Sequence, residues 1–120
     1  FVMGCGRIFE GDTEMMWASL EKLLALPEQT VIYCSHEYTI ANAAFARSVD
    51  PDNAALAARQ AAIQELRDNG LPTVPTRLDL EKATNPFLRV DNTAIRAHLG
   101  MADASNAAVF AEIRKRKDNF

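Results

Sequence analysis

The segment from Tyr33 to Tyr38, with the sequence YCSHEY, places a thiol, an imidazole and a carboxylate within a few residues. The apolar, β-branched run over residues 30–34 that leads into it predicts a short buried strand. α/β proteins place reacting groups at the carboxyl ends of such strands, where the following loop faces a crevice. His36 is therefore a candidate reacting group, and the alternative is a histidine with a structural role only.

Two kinds of chemistry involve His36. Cys34 lies two residues away on the same side of the strand, but thiol–imidazole pairs normally meet from separate segments, which favours a buried structural cysteine. A metal ion is the other partner. His98 is the only other histidine, and a hydrolytic metal site takes three or more protein ligands. If His36 binds a metal ion, its other ligands therefore lie outside this chain.

The basic end of the chain is a second candidate site. Arg114 and Lys117 are three residues apart and share one face of a predicted helix. A guanidinium beside an ammonium forms a receptor for a carboxylate. The alternative is a solvated basic last turn that complements the helix dipole.

The elements that position these residues begin with an α/β unit. Phe1–Met3 is predicted to end a strand, Gly4–Gly6 to form a loop, and Thr13 to cap a helix. The buried strand at 30–34 follows, and parallel pairing of the two strands is the default expectation.

After Tyr38 the chain is predicted to be helical. The first predicted helix there has Asp50 as N-cap, Pro51 as its first residue and Gly70 as C-cap, and a connector follows at 71–75. Asn85-Pro86 is predicted to break the chain, and Asp91 or Asn92 to cap a short helix bearing Ile95 and Leu99. Ser105 is predicted to cap a last helix, whose inner face carries Val109, Phe110 and Ile113.

Composition limits the class of protein. The chain has 120 residues, enough for one domain or pieces of two, and 48% are hydrophobic, as in a folded protein. The net charge of −3 and pI near 5.3 argue against a nucleic-acid binder. No apolar stretch suits a membrane span or a signal peptide. Cys5 and Cys34 are expected to stay reduced. The sequence begins with an apolar segment and no Met, which predicts a piece of a longer chain.

Four segments in order resemble one family. They are GCGRIFEG at 4–11, YCSHEYT at 33–39, TNPFLR at 84–89 and RKRKDNF at 114–120. Together they resemble glyoxalase II, the hydroxyacylglutathione hydrolase branch of the metallo-β-lactamase superfamily.

The resemblance implies an α/β fold followed by an all-α one. Residues 1–37 would be the last part of an αββα metallo-β-lactamase-type catalytic domain, and 38–120 a helical glutathione-thioester-binding domain. The implied activity is hydrolysis of S-(2-hydroxyacyl)glutathione, such as S-lactoylglutathione, to glutathione and a 2-hydroxy acid such as D-lactate. This is the second step of methylglyoxal detoxification. The implied cofactors are two divalent metal ions, zinc or else iron or manganese, holding a hydroxide that attacks the thioester.

The resemblance also assigns roles to residues. His36 falls at a metal-ligand position. The positions matching the family's substrate contacts are Arg7, Phe9 and Tyr38 for the glutathione portion, and Arg114 and Lys117 for its glycine carboxylate. Phe9 replaces a tyrosine and Ser35 a glycine of the family pattern.

The family's Thr-His-x-His-x-Asp-His cluster, a further histidine and the bridging aspartate are absent from the sequence. With His36 as its single matching ligand and no catalytic residue of its own, the 120-residue chain is expected to be inactive alone. The resemblance implies a glutathione thioester as partner. The cysteines favour a cytoplasmic protein, the charge and the lack of an apolar span predict no nucleic-acid or membrane partner, and a monomer is expected. The rival hypotheses are a non-catalytic helical module that binds a glutathione-like acidic ligand, and a structural fragment that binds nothing tightly.

Overall fold

The computed structural model describes residues 1–120, and most of the chain is helical, as predicted after Tyr38. In chain order the elements are α1 Thr13–Leu24, β1 Val31–Ile32, α2 Thr39–Val49, α3 Ala54–Asp68, β2 Thr76–Arg77, α4 Leu78–Thr84, a 3₁₀ turn Pro86–Leu88, α5 Thr93–Leu99 and α6 Asn106–Asp118. No helix is both long and apolar enough to cross a membrane.

Side-chain caps begin most of the helices. Asn92, one of the two predicted candidates, accepts from the N–H of Ala94 and Ile95 at the start of α5. Ser105 accepts from the N–H of Ala108 at the start of α6, which confirms the predicted cap. The predicted cap of α1 was wrong by one residue. Asp12 accepts the hydrogen bond there, and Thr13 is the first helical residue.

The predicted start of α3 at Asp50-Pro51 is also wrong. Asn53 caps this helix by accepting from the N–H of Leu56 at 3.1 Å. Asp50 instead ends α2, and its buried carboxylate lies 3.4 Å from the Arg89 guanidinium. The Asp50 carboxylate also accepts from the Asn53 amide at 2.8 Å, so it is engaged by two side chains rather than by the backbone N–H groups that begin α3.

The α/β unit differs from its prediction. β1 spans only Val31–Ile32 and pairs antiparallel with β2, with Val31 opposite Arg77. The segment is not buried, since Val31 is 48% and Tyr33 82% exposed. Phe1–Met3 forms a turn and no strand. Its backbone groups bind buried side chains of the helical part, as described below, and are not available to a ladder.

The core lies among the helices. The largest cluster packs aromatic and aliphatic side chains from α1, α2, α4, α5 and α6 around the 3₁₀ turn: Trp17, Leu20, Phe45, Val49, Leu78, Phe87, Leu88, Val90, Ile95, Leu99, Val109, Phe110 and Ile113. A smaller cluster lies between α2 and α3, and Val2 and Met3 are part of it. The first residues of the chain are therefore packed against the helices rather than extended away from them.

Candidate functional site

One cavity of about 600 Å³ brings together the candidate site residues from both ends of the chain. It lies between the loop that precedes α1, the start of α2 and the last turns of α6. The residues that line it are Cys5, Gly6, Arg7, Phe9, His36, Tyr38, Ala41, Asn42, Arg114 and Lys117. The site residues predicted from the sequence are thus neighbours in space.

Arg114 holds one wall of this cavity in place. Its guanidinium donates to the carbonyl oxygens of Cys5 at 2.6 Å and Gly6 at 3.2 Å. It also donates to Oδ1 of Asp118, and the whole side chain is only 6% exposed. Most N–H donors of Arg114 are occupied within the chain. Arg114 therefore fixes the loop and adds positive charge to the cavity, and it has few donors left for a ligand.

Lys117 is a cation in the cavity lining that a ligand can pair with. Its ammonium lies 5.6 Å from the centroid of the Phe45 ring and 5.9 Å from that of Phe120. It makes no hydrogen bond or ion pair within the chain. Burial lowers the pKa of Lys117, and the positive charges of Arg114 and Arg7 lower it further. An ammonium in such surroundings favours the approach of an anion.

Arg7 and Phe9 form the outer rim of the cavity. The Arg7 side chain is 70% exposed, with its Nε 3.9 Å from Oδ1 of Asp118. Phe9 is 90% exposed. Both side chains are free to adjust to a bound molecule, which suits contacts at the solvent end of a ligand.

His36 and Tyr38, at the approach to α2, also line the cavity. Their rings stack with centroids 5.0 Å apart and planes 6° from parallel. Both side chains are exposed, and the His36 imidazole makes no hydrogen bond within the chain. His36 is therefore oriented by stacking while its nitrogens remain available.

Glu37, between these two residues, was given no role from the sequence, and it anchors the segment. Its carboxylate accepts from the backbone N–H of Thr73 at 2.6 Å and from the Thr73 hydroxyl at 2.7 Å. Burial acts to raise the pKa of Glu37, but the Thr73 hydrogen bonds outweigh it and the pKa lies below the ordinary value of 4.5. No local signal in the sequence predicts this partner in the 71–75 connector.

The thiols do not complete a reactive site. Cys5 and Cys34 are both free and partly buried. With His36 they line an adjoining cavity of about 380 Å³. Burial raises the pKa of the Cys5 thiol despite the nearby Arg114 charge, which keeps it protonated. The chain holds no group of three or more His, Cys, Asp or Glu side chains that could bind a metal ion.

Comparison with known proteins matches the whole chain. The family model for the hydroxyacylglutathione hydrolase C-terminus matches residues 37–120. The hydroxyacylglutathione hydrolase of Rhizobium meliloti is 62% identical over 120 residues, which is 100% of this chain and 47% of that protein. The one from Ruegeria pomeroyi is 59% identical over 118 residues, 98% of this chain and 46% of that protein. The one from Maricaulis maris is 58% identical over 120 residues, again 100% and 47%.

The chain thus spans about half the length of the curated relatives it matches. Similarity at this level, together with a cavity that gathers the residues of all but one of the recognised motifs, identifies the family. The chain belongs to the hydroxyacylglutathione hydrolase family and corresponds to its C-terminal part.

Proposed function

We propose that this chain supplies the substrate-binding part of a thioester hydrolase that acts on S-(2-hydroxyacyl)glutathione, such as S-lactoylglutathione. The products are glutathione and a 2-hydroxy acid such as D-lactate, as in methylglyoxal detoxification. The observation that carries the proposal is the cavity of about 600 Å³ that is lined by an unpaired Lys117 ammonium together with His36 and Tyr38. The relatives' names point to the same substrate class.

Lys117 is the proposed partner of the glycine carboxylate of glutathione. A hydrogen bond from an ammonium to a carboxylate contributes about 1.5–3 kcal/mol, and more in a partly buried site. Arg114 acts beside it through its positive charge and its hold on the loop at Cys5 and Gly6. Arg7, Phe9 and Tyr38 are proposed to contact the rest of the tripeptide.

His36 is proposed as one ligand of a metal centre whose other ligands lie outside this chain. Its exposed imidazole, held by stacking on Tyr38, suits a single ligand position. Divalent ions bound there would polarise the thioester carbonyl and supply a hydroxide at neutral pH. Zinc, iron and manganese are all compatible with histidine and carboxylate ligands.

Residues 1–37 are proposed to complete a catalytic αββα domain, with 38–120 as the helical binding domain. The family match beginning at residue 37 supports this boundary. The exposure of Val31 and Tyr33 at β1 supports it as well, since an exposed apolar strand suits further pairing. We further propose a cytoplasmic monomer, in keeping with the two free cysteines.

A chimeric enzyme tests this proposal. The part of the Rhizobium meliloti relative that precedes the matched region is joined to this chain, loaded with zinc, and assayed with S-lactoylglutathione. We expect turnover, and we expect none from the 120-residue chain alone with zinc, iron or manganese, because His36 is one ligand only. His36→Ala should lower metal content and kcat of the chimera together.

The chimera also distinguishes a hydrolase from the rival hypothesis of a non-catalytic binding module. A folded, metal-loaded chimera that binds S-methylglutathione but shows no turnover would favour the non-catalytic binding module. A folded chimera that neither binds nor hydrolyses glutathione derivatives would contradict the proposed function.

A further inference from the structure

The backbone of the first residues is held by buried polar side chains from α4 and the residue after it. Asn85 donates through Nδ2 to the carbonyl oxygens of Phe1 at 3.0 Å and Gly4 at 2.8 Å. Glu81 accepts from the backbone N–H of Met3 at 3.0 Å and from the Asn85 amide at 3.0 Å. Both Asn85 and Glu81 are fully buried. They determine where the chain enters the loop that forms the cavity wall.

This anchor is itself held from the other side. The Thr76 hydroxyl donates to Oε1 of Glu81 at 3.0 Å, and the Arg59 guanidinium lies 3.0 Å from the same oxygen. A buried carboxylate that is paired and hydrogen-bonded on both oxygens is difficult to displace. Glu81 therefore presents a fixed acceptor to the Met3 N–H.

The backbone of the anchored segment is strained. Met3 is fully buried and has a φ of 55°, in the left-handed region that non-glycine residues seldom adopt. Such a conformation persists only where its surroundings determine it strongly. The contact from Glu81 to the Met3 N–H supplies that constraint, so tertiary anchoring imposes the shape of this segment.

We propose that Asn85 and Glu81 are positioning residues that hold the loop of residues 4–7 in place as a wall of the cavity. Neither side chain lines the cavity, whereas Cys5, Gly6 and Arg7 do. Ligand affinity then depends on Asn85 and Glu81 through the loop. This dependence rests on the proposed function, while the placement of the loop does not.

Asn85→Ser isolates the anchoring contacts. Serine and asparagine are comparable N-cap residues, so a hydroxyl at 85 can still accept from the N–H of Phe87. It is too short to reach the carbonyl oxygens of Phe1 and Gly4. The variant therefore keeps the cap of the 3₁₀ turn and removes the hold on the loop, together with the hydrogen bond from Asn85 to Glu81.

Asn53→Ser is the matched control. Asn53 also caps a helix, by accepting from the N–H of Leu56, and also donates to a distant carbonyl oxygen, that of Ala83 at 2.9 Å. It does not touch the cavity or the loop. Loss of stability common to both variants is thereby separated from an effect on the loop.

Two measurements are made on the 120-residue chain. Peptide mass spectrometry after timed iodoacetamide treatment gives the alkylation rate of Cys5 relative to Cys34 in the same molecule. Calorimetric titration gives the affinity for S-methylglutathione. In Asn85→Ser we expect the relative rate at Cys5 to rise on the order of tenfold, because the loop opens more often. We expect affinity to fall on the order of tenfold, because one wall of the site is displaced.

Asn53→Ser should change neither quantity. If Asn85→Ser does not fold, Glu81→Gln replaces it, and the same rise at Cys5 is expected. Equal Cys5 rates in the Asn85 and Asn53 variants would overturn the positioning role. A faster Cys5 rate with unchanged affinity would overturn its link to ligand binding. If the unmodified chain does not bind S-methylglutathione, the proposed function fails, and the Cys5 rates still decide whether Asn85 holds the loop.

Discussion

The Arg114 guanidinium donates to the carbonyl oxygen of Cys5 at 2.6 Å, across a separation of 109 residues. This contact joins the last helix to the loop before the first one. Arg114, which the sequence alone would place on the surface, is thus buried and links the two ends of the chain. The ammonium of Lys117, on the same helix, makes no hydrogen bond or ion pair within the chain.

Replacing Arg114 should therefore affect stability as well as binding. Arg114→Ala removes the donors to the Cys5 and Gly6 carbonyl oxygens and leaves Asp118 with only Arg7, whose Nε lies 3.9 Å away. We expect the free energy of unfolding in urea to fall by roughly 2–3 kcal/mol. Lys115→Ala, at an exposed position on the same helix, should change it by less than about 0.5 kcal/mol. A similarly small effect of Arg114→Ala would show that the Arg114 contacts do not stabilise the fold.

Gly4 should tolerate no side chain. A Cβ at this position would lie 2.5 Å from the Cγ atom of Asn42, whereas a Cβ at Gly6 would meet nothing within 4 Å. We expect Gly4→Ala to lower the thermal midpoint clearly and Gly6→Ala to change it little, because overpacking at a buried contact costs about 1–3 kcal/mol. Differential scanning calorimetry of the two variants makes the comparison. Equal midpoints would show that Asn42 can move aside.

Glu37 should contribute to stability against acid. Its pKa is lower in the folded chain than the ordinary value of 4.5, so its contribution is present above that value and is lost as the pH falls through the lower folded pKa. In Glu37→Gln, the free energy of unfolding should depend less steeply on pH in this acid range than in the unmodified chain. Thr73→Val should act in the same direction. Parallel pH curves for all three proteins would refute the Glu37–Thr73 contact as the cause.

Lys117 should give ligand binding an alkaline limit. Burial and the charges of Arg114 and Arg7 lower its pKa below the ordinary 10.5. As the pH rises through that lowered pKa, the ammonium is lost and affinity for S-methylglutathione should fall. Lys117→Arg keeps its charge to higher pH, so its affinity should persist further into the alkaline range. Titration of groups on the ligand is common to both proteins, and identical pH profiles would exclude Lys117 as the cause.

The helical part was predictable because its signals are local. The caps at Asn92 and Ser105 and the break at Asn85-Pro86 depend on neighbours within a few residues, and apolar spacing located the inner face of α6. The pairing of Val31 with Arg77 was not predictable, since it joins segments far apart in the chain. The same reason explains Asp50, whose carboxylate is drawn to Arg89 instead of capping α3.

The candidate site follows the same division. Motif residues located Lys117, His36 and Tyr38, which line one cavity. Arg114 and Glu37 act by hydrogen bonding to partners far away in the sequence, namely the Cys5 carbonyl oxygen and Thr73. Local patterns carry no information about such partners, so these anchoring roles appear only in the folded chain.

Calorimetric titration of the 120-residue chain with S-methylglutathione measures whether Lys117 binds the carboxylate of a glutathione derivative. We predict saturable binding at one site, weakened roughly tenfold to a hundredfold in Lys117→Ala, as expected for the loss of a charge-assisted contact. Lys115→Ala, on the exposed side of α6, should bind like the unmodified chain. Absence of saturable binding by a chain shown to be folded by circular dichroism would contradict the proposed binding site, and equal affinities in the two lysine variants would contradict the role of Lys117.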